Sequence, residues 1–154
     1  MTTALTSTVL TRPLLEPLGP GPDGRPLFRV DRGFQYRSRL LGGIVEIPGG
    51  GCHAWVTDLA SVPRWLPATW FLAGGFGTVP ALLHDFAYLW HSVPMIVPAT
   101  FTRGLRRATA DALFYECMQA ERDPPEAWRQ WVIWSGVRVG GRSAWARQVK
   151  RPRA

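Results

Sequence analysis

A histidine, two aspartates and a tyrosine stand in two short segments, His84-Asp85-Phe86-Ala87-Tyr88 and Ala110-Asp111-Ala112-Leu113-Phe114. Both read as helical, and on a helix His84 and Tyr88 share a face while Asp85 points about 100° away. A histidine acting as general base needs a second group on its other ring nitrogen to fix the tautomer. Asp111, on a helix running antiparallel to the first, can be that group, with the Tyr88 hydroxyl bonding the same carboxylate. Asp85 is then placed to hold a hard cation such as calcium together with loop carbonyls. Such a cation polarises a substrate carbonyl while the histidine activates water. The alternative is a satisfied polar network that only fixes how two helices pack. One or the other is required, because a buried carboxylate or imidazole is costly unless paired.

The string Thr57-Asp58-Leu59-Ala60-Ser61-Val62-Pro63-Arg64 follows a short strand and opens a turn. Asp58 can cap the amides of Ala60 and Ser61, or it can be a further metal ligand. Ser61 lacks the glycine-flanked elbow of a nucleophilic serine. Arg64 and Arg107 are candidate partners for these carboxylates or for a substrate phosphate; otherwise they are solvated. His53 and His91 have no neighbours at ligand spacing.

The positioning elements are legible in outline. Leu27 to Val30, the alternating Phe34, Tyr36 and Ser38, Ile44 to Ile47 and Trp55 to Thr57 predict a small antiparallel meander. From Ala60 the pattern turns helical. Thr78 caps a helix from Ala81 to Trp90, and Ser92 to Thr100, with Pro94 and Pro98, reads as a loop. A second helix is expected from Thr102 to Arg122. A third runs from Pro125 to Val139 and stops at Gly140-Gly141; its stripe of Trp128, Trp131 and Trp134 is most simply core, with lipid or partner contact as the alternative. The expectation is an α+β domain over residues 24–141, the sheet packed on three helices. Residues 1–23 read as an arm or loop and residues 142–154 as a basic, flexible tail.

Composition narrows the partners. Of the net charge of +7, five units come from Arg142, Arg147, Lys150, Arg151 and Arg153, so nucleic acid is unlikely except through that tail. Two cysteines, Cys52 and Cys117, exclude a disulfide framework. No basic segment precedes an apolar run at the N-terminus, so no signal peptide is expected. The uncharged run from Trp65 to Leu83 is broken by Pro67, Pro80 and three glycines, which argues against a transmembrane span. No nucleotide or organic cofactor is expected.

The pairing of His84-Asp85-x-x-Tyr88 with Ala110-Asp111-x-x-Phe114 resembles the catalytic helices of phospholipase A2, including compact viral versions that lack most disulfides. The resemblance implies that His84 activates water, Asp85 binds calcium, Asp111 orients the histidine and Tyr88 supports it. Gly74-Gly75-Phe76-Gly77-Thr78 is similar in character to a glycine-rich calcium loop. The cysteines usual beside that histidine are absent.

A second resemblance covers more of the chain. The Thr57–Arg64 string, then Leu83-His84-Asp85, then Arg106-Arg107-Ala108-x-Ala110-Asp111-x-x-Phe114 resembles the phage-associated domain of unknown function DUF1353. That implies a phage or prophage protein, in the host cytoplasm or the virion, and no settled activity. Two functions are thus in view. One is a calcium-assisted hydrolase acting on phospholipid or another cell-envelope ester or amide. The other is a non-catalytic protein that binds phage structural proteins or a host factor.

Overall fold

The computed structural model describes residues 6–22, 24–59, 77–102 and 104–149. They form two antiparallel sheets and three helices, an α+β fold. The larger sheet has the order β1-β4-β5-β7-β8: β1 Thr8–Val9, β4 Phe34–Ser38, β5 Gly43–Ile47, β7 Pro94–Val97 and β8 Ala99–Phe101. The smaller has the order β2-β3-β6: β2 Leu14–Pro20, β3 Pro26–Arg32 and β6 Val56–Thr57. A 3-10 turn, Gly51–His53, leads into β6.

Side-chain alternation sets the inner face of the larger sheet. Phe34, Tyr36 and Ser38 are buried on β4, and Val45 and Ile47 on β5, with Phe34 opposite Ile47 and Tyr36 opposite Val45. The same core takes Val79, Leu82, Leu83 and Phe86 from α1 (Thr78–Trp90). The second helix, α2 (Arg107–Gln119), adds Leu113 and Cys117 to the same core and turns Phe114 and Met118 towards α3 (Ala127–Val149). There Phe114 and Met118 meet Ile133 and Val137.

Several elements differ from the sequence expectation, each for a physical reason. Residues 1–23, expected as an arm or loop, contain β1 and β2. Pro17 and Pro20 hid β2, but it is an edge strand, where a missing amide is tolerated. The expected loop at Ser92 to Thr100 contains β7 and β8: Pro94 occupies the first position of β7, and Pro98 falls between the two strands. Thr78 is the first residue of α1 rather than its cap; Gly77, at φ 97, takes that place. Thr102 does not start α2. It exchanges hydrogen bonds with Val93, and the chain turns at Gly104 (φ 68) before the helix begins.

The largest difference concerns α3, which passes through Gly140-Gly141 and extends to Val149, into the segment expected as a flexible tail. A glycine inside a helix costs about 1 kcal/mol. Here it is required, because a Cβ on Gly141 would stand 2.4 Å from the Tyr88 hydroxyl. Beyond the glycines, Trp145 packs edge-on against Tyr88 and stacks on His91 at 4.0 Å, which offsets the helical cost. The tryptophan stripe was expected in the core. Only Trp134 turns inward, against Tyr115, while Trp128 and Trp131 are 53% and 60% exposed.

Candidate functional site

The polar cluster sits where α1, α2 and α3 meet. His84 Nε2 lies 3.1 Å from Asp111 Oδ1, and the Tyr88 hydroxyl donates to the same oxygen at 2.7 Å. His84 also faces the Phe114 ring, so residues later on α1 meet residues earlier on α2, the order of antiparallel helices. Both side chains of the pair are sealed from water, His84 at 2% exposure and Asp111 at 0%. The second carboxylate oxygen accepts from Arg138 Nη1 at 2.9 Å and lies 3.5 Å from Arg107 Nη1, one helical turn earlier. Arg107 also donates to the Arg138 carbonyl at 2.8 Å, tying α2 to α3. Asp111 thereby compensates the positive charge that Arg107 brings to the unfavourable end of α2.

Burial pushes the Asp111 carboxyl up, but hydrogen bonds from His84, Tyr88 and Arg138 outweigh it and hold the group below the usual carboxylate range. Burial, then the bond to Asp111, drives the Tyr88 phenol up. An ionised carboxylate only accepts, so Tyr88 and His84 Nε2 must both be donors. In the neutral imidazole the lone pair then sits on Nδ1. That atom is buried and has no hydrogen-bond partner among the described residues.

Asp85 points away from this pair, as its helical position requires. Its Oδ2 accepts from the Thr57 hydroxyl at 2.6 Å, and the same hydroxyl accepts from the Leu59 amide at 3.0 Å. Leu59 holds a left-handed φ of 51°, so the chain leaves β6 at some backbone cost, while the Thr57–Asp85 bond ties β6 to α1. Asp58 pairs with Arg25 on the strand side. The amides of Ala60 and Ser61 that it was expected to cap lie outside the described residues, as do Arg64 and the glycines before Gly77. The described residues contain no group of three or more His, Cys, Asp or Glu side chains that could hold a metal ion.

The structure thus brings together His84, Tyr88, Asp111 and Arg107, and separates Asp85 and Asp58 from them. Two members escaped the sequence reading. Arg138 is flanked by Val137 and Val139 and lies over the Trp134 ring four residues earlier, a cation in an apolar run. Thr57 opened the string that drew notice for Asp58. A second buried acid, Glu116, accepts from Ser7 and Ser38 hydroxyls, both at 2.7 Å, and from the Leu40 amide at 2.9 Å. It fastens α2 to β4 and to the residue before β1.

For Glu116, too, burial raises the carboxyl, and the bonds from Ser38, Ser7 and Leu40 more than reverse this. Both acids have folded-state values below their unfolded ones, so the stability they supply is complete above about pH 4.5. It is lost as pH falls through the depressed folded values. Urea unfolding at stepped pH is expected to show stability declining below about pH 4, with a shallower acid limb in the double variant Asp111→Asn/Glu116→Gln. An unchanged acid limb in that variant would show that other groups govern it.

The arrangement defines an α+β protein with a buried His/Asp/Tyr cluster, flanked by two partly exposed arginines, at a three-helix junction. Residues 28–137 match the family model described as a protein of unknown function, DUF1353, and the chain belongs to that family. No curated protein and no solved structure matches the chain. No helix among the described residues is long and apolar enough to cross a membrane.

Proposed function

We propose that this protein is a phage-encoded hydrolase in which His84 is the general base and Asp111 its orienting carboxylate. The observation that supports it is the asymmetry of the histidine. Nε2 is committed to Asp111, while buried Nδ1 has no partner among the described residues. Buried polar atoms are ordinarily satisfied, so Nδ1, on a histidine held in a single tautomer, is the atom that would take the proton. With His84 only 2% exposed, the reading requires the helix junction to open and admit water or substrate to it. Tyr88 and Arg138 hold the carboxylate in place. Asp85, next to His84 in sequence and braced by Thr57, is the residue that would hold a calcium-like ion with backbone carbonyls. Bound there, such an ion supplies polarisation of a substrate carbonyl. The substrate class is a phospholipid or another cell-envelope ester or amide.

A second reading is favoured by the 2% exposure of His84 and by the full occupation of both Asp111 oxygens. In it the cluster is a packing lock in a virion, assembly or host-interaction protein. Calcium titration followed by thermal shift, with Asp85→Asn alongside, separates the two. So does an ester-hydrolysis assay on phospholipid vesicles with and without calcium. The hydrolase reading expects a calcium-dependent rise in Tm and calcium-dependent release of fatty acid, both lost in Asp85→Asn. Absence of both in the wild-type protein assigns the cluster to the packing lock.

A further inference from the structure

The outer face of α3 has no role in the cluster, yet its composition is unusual. Trp128, Trp131, Ser135, Val139, Arg142 and Ala146 recur at helical spacing and form one stripe along its length. All but Ser135 are exposed, with Val139 at 66%. From Ala127 to Val149 the helix carries four arginines and no acidic residue. Arg129 lies 5.3 Å from the Trp128 ring centroid, with its charge paired to Glu126. Arg138 is spent on Asp111. Arg142 remains on the exposed stripe, and Lys150, Arg151 and Arg153 follow in the sequence.

The stripe is thus graded along its axis, with Trp128 and Trp131 at the N-terminal end, Arg142 towards the C-terminal end, and further cations following in the sequence. Tryptophan favours a boundary where its ring meets acyl chains and its N–H meets water. Arginine favours anionic headgroups at the same depth. A second copy packed antiparallel would instead set Arg142 against the tryptophans of the partner, an outcome that the oligomeric state in the test below distinguishes. A nucleic acid would need cations along the whole stripe, whereas the N-terminal half offers Trp128 and Trp131. We infer that the exposed face of α3 docks this protein on an anionic bilayer surface, with Trp128 and Trp131 entering the headgroup boundary. The inference suits a lipid substrate but does not require hydrolysis.

Co-sedimentation of the full chain with phosphatidylcholine vesicles, with and without phosphatidylglycerol, tests it. Binding is expected only when phosphatidylglycerol is present, with a blue shift of tryptophan emission and weakening as salt rises. Trp128→Ser/Trp131→Ser is expected to weaken partition by roughly tenfold or more, and Arg142→Glu to weaken it further at low salt. His84→Gln should bind like wild type, so loss of hydrolysis with binding retained separates the two proposals. The docking inference is overturned by equal binding of the double tryptophan variant, by no binding to phosphatidylglycerol vesicles, or by a wild-type dimer that the double variant dissolves.

Discussion

Asp111→Ala is expected to destabilise the protein by about 3–5 kcal/mol, the cost of removing one member of a buried ionic group. Three donors and the nearby Arg107 guanidinium converge on that carboxylate, and they differ in how well they survive its loss. Arg138 and Arg107 are partly exposed, at 35% and 24% of their side chains, and regain some hydration. The Tyr88 hydroxyl and His84 Nε2 are buried and cannot. Asp111→Asn keeps the volume and one acceptor but turns an amide N–H towards existing donors, so an intermediate loss is expected. Urea unfolding of the two variants measures the order. A loss below about 1 kcal/mol for alanine would mean that the cluster contributes little to holding the helices together.

On the hydrolase reading proposed above, His84→Gln is expected to lower hydrolysis by about 10²–10⁴-fold while the fold persists. The glutamine amide can donate to Asp111 as Nε2 does, so the orienting bond is conserved. What disappears is the Nδ1 lone pair, the one polar atom of the histidine that no described residue uses. The comparison is sharper than alanine, which would open a cavity against Phe114 and the Tyr88 ring 4.0 Å away. Calcium-dependent fatty-acid release from vesicles gives the rate, and Tm shows whether the fold persists. A variant that keeps its Tm and its rate removes His84 from any base role.

The central pair was readable in the sequence because it depends on one-dimensional spacing. His84 and Tyr88 sit four residues apart on a strongly apolar helix, and only an acid from a neighbouring helix could satisfy them. Phe34, Tyr36 and Ser38 marked β4 by the same kind of periodicity. Arg138 and Thr57 were not readable as site members, since each reaches the cluster or Asp85 through the placement of a distant element. The i, i+3 spacing of Trp128, Trp131 and Trp134 is identical for a core and a surface stripe, and only packing decides between them. Gly140-Gly141 carries the composition of a helix stop. Its true reason, the closeness of Tyr88, lies on another helix. Prolines misled twice, at β2 and at β7, because strand edges and strand starts accept what a strand centre rejects.

The uninterrupted course of α3 joins two surfaces that would otherwise be separate. Arg138, which reaches Asp111, and Gly141, which admits Tyr88, are on the same rod as Trp131 and Arg142. One residue of rotation turns a helix by about 100°, so no turn of that rod can reorient its outer side and leave its inner side in register. A slide of one residue moves everything along it by about 1.5 Å, enough to break a 2.9 Å bond to the carboxylate. The outer stripe and the Arg138–Asp111 bond are therefore two sides of one element, and a shift of α3 at its exposed face is a shift at Arg138 as well.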